Sequence, residues 1–216
     1  MNVVRCGETH RSIVPFPKTP QNLKWYKRVL ESPSVSLVIG TGPAGTGKTK
    51  TACVVGMNHL ANGAYERMMI TRPTVAVGNE EIGFLPGDLH DKMEPWVSHM
   101  VDYTNRYNLR FIQDKMDAMP LAYIRGETWS NRYVIADEMQ NSTVMQMKTL
   151  LTRMGEHSKL VITGDLSQCD LDPEDNGLVD LLRRLEAHPL LFCEHIQFTN
   201  DDVVRSDFVK QILQLY

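Results

Sequence analysis

The run at residues 42–49, with the sequence GPAGTGKT, constrains the fold of this chain more than any other feature. It matches the pattern G-x-x-x-x-G-K-[ST], in which glycines let the backbone turn tightly so that its N–H groups converge on anionic oxygens. An apolar run at residues 36–40 precedes it, and helically spaced residues follow it from Lys48. A strand, a glycine-rich loop and a helix in this order are the context that the pattern requires. The alternative, a glycine-rich turn with a chance lysine, is disfavoured by this context.

Each position of the loop has a predicted role. The Lys48 ammonium is expected to reach the β- and γ-phosphates, and the Thr49 hydroxyl to bind Mg²⁺. The nucleotide-binding residues predicted here are Gly42, Pro43, Ala44, Gly45, Thr46, Gly47, Lys48, Thr49 and Lys50.

Two adjacent carboxylates follow a second apolar run at residues 133–136. Asp137 is predicted to hold Mg²⁺, directly or through water, and Glu138 to activate the attacking water. An acidic helix start is the alternative, because Asp and Glu favour first turns. The nearby phosphate loop favours the catalytic interpretation.

Polar residues also follow the apolar run at residues 160–163. Gln168 is predicted to contact the γ-phosphate or the attacking water, and Asp165 to hold this loop or approach the metal. Ordinary turn chemistry is an open alternative for both residues.

The order of apolar runs and helical patterns predicts an α/β fold, a mostly parallel sheet with helices on both faces. The arm at residues 1–19 is expected to be extended, because it mixes polar residues with prolines. Strands are predicted at residues 36–40, 67–71, 133–136, 160–163 and 191–198. Helices are predicted at residues 21–31, 48–60, 88–119 (for the most part), 145–154, 177–187 and 207–215.

Composition narrows the function classes. A net charge of −3 argues against a broadly basic nucleic-acid binder but leaves a narrow basic groove possible. The four cysteines share no C-x-x-C spacing, which disfavours zinc and disulfide frameworks. No apolar run has the length of a membrane span, and the first residues do not resemble a signal peptide. We therefore expect a cytoplasmic protein without membrane partners.

At these residues the chain resembles the PhoH-like family of ATPases, which is related to the first RecA-like domain of superfamily 1 helicases. The resemblance covers nearly the whole chain from about Lys18. Its most specific parts are GFLPGDL and PLAYIRG, because the phosphate loop and the acidic pair occur widely. The matching runs occupy residues 42–49, 70–96, 120–129, 135–141, 147–155, 161–171 and 201–205.

The resemblance implies a RecA-like ATPase domain over residues 20–216, ATP with Mg²⁺, phosphohydrolase activity, ring-shaped oligomers that are commonly hexamers, and a link to phosphate starvation. Some relatives carry a fused ribonuclease domain and act on RNA; that nuclease activity is not carried over to this chain. Two departures are visible. Ala136 stands where the family usually has a bulky aliphatic residue, and the order Gln21-Asn22 reverses the family's Asn-Gln pair. Gln21 is nevertheless predicted to read adenine, because an amide can pair with both N6 and N7.

Related helicases receive arginines from a second domain, and here a neighbouring subunit is the expected donor. Arg153 and Arg205 are the leading candidates, with a surface charge as the alternative for each. A nucleic-acid track is predicted from one set of basic and aromatic residues. Its members are Arg72, Phe84, Tyr123 and Arg125; Arg72 and Arg125 are also weaker finger candidates, and core packing is the alternative for Phe84 and Tyr123.

The leading hypothesis is a ring-forming, Mg-dependent ATPase that moves on RNA or single-stranded DNA. The alternative is an ATP-gated regulatory or assembly module without a nucleic-acid substrate. A small-molecule kinase is disfavoured, because Glu138 beside Asp137 suits water activation better.

Overall fold

The architecture is a six-stranded sheet in which every neighbouring pair of strands is parallel. It is seen in a computed structural model that describes residues 20–73, 101–124, 126 and 128–204. The strands are β1 (Leu37–Thr41), β2 (Arg67–Arg72), β3 (Met116–Pro120), β4 (Arg132–Ala136), β5 (Lys159–Gly164) and β6 (Cys193–Gln197). Their order is β3-β2-β4-β5-β1-β6. The four labelled helices are α1 (Gln21–Glu31), α2 (Lys48–Ala61), α3 (Val144–Leu151) and α4 (Gly177–Ala187).

Alternate residues of the central strands belong to two separate cores. Tyr133 and Ile135 of β4 pack with α1 and α2, whereas Val134 and Ala136 pack with α3 and α4. A strand that is buried on both faces is apolar throughout, which is why the central strands read as continuous runs in the sequence. The predicted α/β class with helices on both faces is confirmed.

Several predicted elements are confirmed to within a few residues, and α1 and α4 match at both ends. Local capping explains two helix starts. Thr143 forms a capping box with Gln146 at α3, and the Asn176 side chain accepts from Leu178 N and Val179 N at α4. The predicted arm at residues 1–19 and the helix at residues 207–215 lie outside the described residues.

The prediction of a mostly helical segment at residues 88–119 is wrong at its C-terminal end. Residues 101–106 are helical, but Asn108 has a left-handed φ of 55°, which ends the helix. A 3-10 helix and the edge strand β3 follow. Strand β3 contains no β-branched residue, so its sequence does not indicate a strand. Pairing with β2 and a two-bond ion pair from Arg67 to Asp117, at 2.7 and 2.8 Å, hold it in place.

Lys159, the first residue of β5, is a buried cation that closes the end of α1. Only 1% of its surface is exposed. Its Nζ donates to the carbonyls of Ser32 at 2.6 Å, Leu30 at 2.9 Å and Val29 at 3.4 Å. Val29 O and Ser32 O also accept from the backbone N–H groups of Ser32 and Val35, so the ammonium adds a further donor to the carbonyls at the C-terminus of α1 from inside the sheet. Burial lowers the pKa of Lys159 from 10.5 to about 8.

This pKa predicts a pH-dependent contribution to stability. Below about pH 8 the lysine is charged in both states and the cost of burying it is fully present. Between pH 8 and 10.5 only the unfolded state stays protonated, so stability rises with pH, by up to ~3 kcal/mol. We expect the free energy of unfolding of the wild type to rise from pH 7 to 9.5 relative to that of Lys159→Met. Parallel urea titrations check this, and equal pH slopes would contradict it.

Candidate functional site

The glycine-rich loop joins β1 to α2 and has the shape of an anion cradle. Gly42, Gly45 and Gly47 have φ values of 131°, 83° and 87°, a region that side-chain-bearing residues rarely adopt. A Cβ at Gly42 would also collide with the carbonyl oxygen of Phe198. The glycines are therefore required by the backbone path, and the loop ends at the N-terminus of a helix of 14 residues. That N-terminus directs backbone N–H groups and a positive dipole end at the loop.

Lys48 lies in the floor of the cradle. Its Nζ donates to Gly42 O at 2.6 Å, Pro43 O at 2.8 Å and Thr46 Oγ1 at 3.2 Å. Burial lowers the pKa of Lys48, and the carboxylates of Asp165, Glu138 and Asp137 oppose that shift. These partners hold the ammonium inside the loop where a phosphate would sit.

Asp137 joins the loop to two further strands. Its Oδ1 accepts from Thr49 Oγ1 at 2.7 Å and from Thr163 Oγ1, and its N donates to Thr71 O at 2.8 Å. Only 3% of Asp137 is exposed. Thr49 and Asp137 thus present a hydroxyl and a carboxylate within contact of each other. This oxygen donor set fits Mg²⁺, which is bound by one or two carboxylates together with substrate phosphates and water.

Glu138 directly follows and has a left-handed φ of 55°. A non-glycine residue in this region carries backbone strain, which is common at functional sites. Gln140 Nε2 donates to Glu138 Oε2 at 2.6 Å. Glu138 is half-buried and helps to line an open cavity of about 270 Å³ with Gly47, Lys48, Thr49, Asp137 and Gln168. This volume is near the lower limit of ~300 Å³ for small-molecule sites, as suits the phosphate end of a nucleotide.

The tip of β5 contacts the cradle from the opposite side. Asp165 Oδ2 accepts from Ala44 N at 3.2 Å, while its Oδ1 accepts from the Ser167 hydroxyl at 2.6 Å. Gln168 N donates to Asp165 O at 3.0 Å, and the Gln168 side chain is exposed. Asp165 therefore both forms hydrogen bonds within its own turn and contacts the phosphate loop.

The segment after β6 crosses over the cradle. Phe198 N donates to Thr41 O at 2.7 Å and Val204 N to Gly45 O at 3.0 Å. Buried Asp202 accepts from Asn22 Nδ2 at 2.8 Å, which ties this segment to the start of α1. Asn22 is therefore engaged by protein, whereas Gln21 is exposed beside it.

The other predicted residues do not all lie at the same ends of the strands. Arg72 ends β2; burial lowers its pKa, and the carboxylates of Asp137 and Glu138 oppose that shift, so it lies near the acidic pair. Tyr123 follows β3 and is 57% exposed, so its predicted alternative of core packing is wrong. Arg153 O accepts from Trp129 N, ahead of β4 and away from the cradle. Phe84, Arg125 and Arg205 lie outside the described residues.

A protein-family model described as "PhoH-like protein" matches residues 16–216. The chain belongs to the PhoH-like family. A PhoH-like protein of Bacillus subtilis is 41% identical in an alignment of 193 positions that covers 83% of this chain and 58% of that protein. A PhoH-like protein of Synechocystis is 37% identical in an alignment of 218 positions that covers 97% of this chain and 64% of that protein. Protein PhoH of Escherichia coli K12 is 37% identical in an alignment of 201 positions that covers 88% of this chain and 55% of that protein.

The chain thus spans between 55% and 64% of the length of these PhoH-like relatives. Two solved structures align with most of this chain. The Sulfolobus solfataricus SWI2/SNF2 ATPase core in complex with dsDNA matches 84% of this chain and 45% of that chain, at a TM-score of 0.45 and 11% identity. Pif1 helicase from Candida albicans matches 93% and 44%, at a TM-score of 0.42 and 14% identity.

The family membership and the parallel sheet confirm the predicted RecA-like P-loop NTPase fold of this PhoH-like chain. Within the described ranges, no helix is both long enough and apolar enough to cross a lipid bilayer. Sequence reasoning missed Thr163 and Gln140, which contact predicted site residues, and Asp202, which ties the segment after β6 to Asn22. Gln140 had a readable signal, because it is a polar residue in the segment that directly follows a buried strand and the acidic pair.

Proposed function

We propose that this PhoH-like chain is a Mg²⁺-dependent ATPase whose hydrolysis is coupled to RNA or single-stranded DNA. The observation that carries the proposal is the 2.7 Å hydrogen bond from Thr49 Oγ1 to Asp137 Oδ1, with Glu138 next in the chain. It brings the phosphate cradle and a pair of carboxylates to one point. Binding of phosphate alone would need only the cradle, whereas hydrolysis needs the metal ligand and the base as well.

In the proposed reaction, Glu138 accepts a proton from water as the water oxygen forms a bond to the γ-phosphorus. The bond from the γ-phosphorus to the bridging oxygen breaks, and ADP and inorganic phosphate leave. The Lys48 ammonium turns from the Gly42 and Pro43 carbonyls to the phosphate oxygens. Mg²⁺ held by Thr49 and Asp137 would neutralise charge on the β- and γ-phosphates. Gln168, which lines the same cavity, would orient the attacking water.

Glu138→Gln should separate binding from hydrolysis. We expect kcat for ATP to fall by about 10²–10⁴-fold, because the amide cannot accept the proton, while ADP still binds. Lys48→Ala should lose both binding and hydrolysis. Phosphate release and calorimetric ADP titration, each with Mg²⁺ and with EDTA, provide the measurements. The exposed Glu156→Gln is the matched control. Wild-type turnover in Glu138→Gln would refute the assignment of the base.

The coupling to nucleic acid rests on the carboxyl ends of two adjacent strands. Arg72 ends β2 near the acidic pair, and Tyr123 follows β3 with 57% of its surface exposed. A cation and an exposed aromatic ring at the carboxyl ends of adjacent strands suit a phosphate backbone and a stacked base. Phe84 and Arg125 belong to the same proposal. The alternative is an ATP-gated regulatory or assembly module, which this exposed ring does not favour.

We expect single-stranded RNA or DNA to stimulate the ATPase rate severalfold at low salt and less at high salt. Tyr123→Ala should weaken binding by about tenfold, because stacking of a base on an aromatic ring contributes roughly 1–3 kcal/mol. Phe111→Ala is the matched control, because Phe111 is 61% exposed but precedes β3, whereas Tyr123 follows it. Fluorescence anisotropy measures the affinity. No binding at low salt, with or without nucleotide, would favour the regulatory module.

A closed ring, commonly a hexamer, completes the proposal, because a shared site needs a neighbouring subunit. Arg153 lies away from its own cradle, so only another copy could place it at the phosphates. Arg205 is the second candidate for the shared arginine. The cytoplasmic location and the link to phosphate starvation belong to the same proposal.

Mixing two inactive variants tests the shared site. Lys48→Ala subunits keep Arg153, and Arg153→Ala subunits keep the cradle, so a mixed ring should recover part of the ATPase activity. Native mass spectrometry checks that mixed rings form, and each variant alone supplies the baseline. The same experiment with Arg205→Ala distinguishes the two arginines. Mixed rings without recovered activity for either arginine would overturn the shared site.

A further inference from the structure

We propose that Gln140 is a positioning residue that holds the Glu138 carboxylate in place for water activation and ties it to the tip of β5. The inference rests on the proposed ATPase function, in which Glu138 is the base. Gln140 would touch neither ATP nor water; it would act through Glu138. The family resemblance assigns Gln140 no role, and its contacts are what support this one.

Both ends of the Gln140 amide are engaged across the site. Nε2 donates to Glu138 Oε2 at 2.6 Å, and Oε1 accepts from Asp165 N at 3.1 Å. Only 1% of Gln140 is exposed, although the carboxylate that it contacts is half-buried. A buried amide with both ends bonded is fixed in orientation, so it restricts the carboxylate more than water would.

The residues packed around Gln140 keep its amide directed at Glu138. Its carbonyl oxygen accepts from buried Asn176 Nδ2 at 2.6 Å, which anchors the backbone. Gly164 lies against it: a Cβ there would be 3.1 Å from Gln140 Oε1 and 2.6 Å from Leu178 Cδ2. The close approach of β5 therefore depends on a glycine at this position. The backbone and the side chain of Gln140 are both held.

The contacts form a continuous path from the phosphate cradle to the base. Ala44 N donates to the Asp165 carboxylate, Asp165 N donates to the Gln140 amide, and that amide donates to Glu138. Glu138 needs such support, because its backbone is in the left-handed region at the turn between β4 and a short 3-10 helix at Met139–Asn141. An amide orients the carboxylate without carrying a charge or taking up the proton, so the base stays available.

Gln140→Met, which keeps the length and removes both hydrogen bonds, tests the inference in the full chain. We expect kcat for ATP to fall about 10²-fold, because a small misplacement of a catalytic group costs about this much. The Kd for ADP with Mg²⁺, measured by calorimetry, should stay within about twofold of the wild type. Gln140→Glu is the second variant, in case Met does not fold, and it should lower kcat at least as much because it sets a carboxylate against Glu138. Gln146→Met, at the start of α3 and outside the cavity lining, is the control and should leave kcat unchanged.

A double-mutant cycle separates positioning from a structural role. In the Glu138→Gln background, measured in single turnover, Gln140→Met should lower the rate by less than about twofold, because the base is already absent. A further loss of rate of tenfold or more in that background would overturn the inference. An unchanged kcat in the single Gln140 variants would also overturn it, as would a Kd for ADP that rises in parallel with the loss of kcat. If the wild type itself hydrolyses no ATP, the proposed function fails; if it does and Gln140→Met matches it, only the role of Gln140 fails.

Discussion

The buried carboxylate of Asp137 is the contact on which the rest of the site depends. Through its side chain and backbone it bonds to Thr49, Thr163 and Thr71, which come from α2, β5 and β2. A carboxylate with 3% exposure is tolerated only when it is hydrogen-bonded, so these elements must meet at one point for the chain to fold. The same bonds fix the distance between the cradle and the acidic pair. Stability and chemistry therefore share one group, and its bonds join β4 to β2 on one side and to β5 on the other.

What the sequence predicts well is chemistry that lies within one short segment. The cradle could be found because its glycines, Lys48 and Thr49 are adjacent in the chain, and each answers a local requirement of the backbone or the phosphate. The central strands could be found because burial on both faces leaves no polar position. Thr163 could not be found in this way, because it resembles any strand-end threonine until β5 is placed beside β4. Contacts that join neighbouring strands become visible only when the strand order is known.

Strand β3 shows the same limit in the fold itself. Its residues have no strand preference, and it forms because β2 offers a free edge and Arg67 pairs with Asp117. Such tertiary contacts outweigh local preference at an edge, where little apolar surface is buried. This edge also sets the position of Tyr123, since the chain turns there directly after β3. The edge strand that the sequence does not predict therefore positions part of the surface proposed to meet nucleic acid. The prediction of the cradle does not depend on this strand.

The cradle satisfies its own polar groups. The Lys48 ammonium donates to loop carbonyls, and Ala44 N is held by Asp165. A nucleotide must replace these bonds, so its affinity reflects a difference between two sets of partners. Three carboxylates, those of Asp165, Glu138 and Asp137, lie close enough to Lys48 to raise its pKa against the effect of burial, and they would repel a bare polyphosphate. A divalent cation beside Thr49 and Asp137 would offset that repulsion. The acidic surroundings of the cradle are therefore a physical reason for nucleotide and Mg²⁺ to enter together.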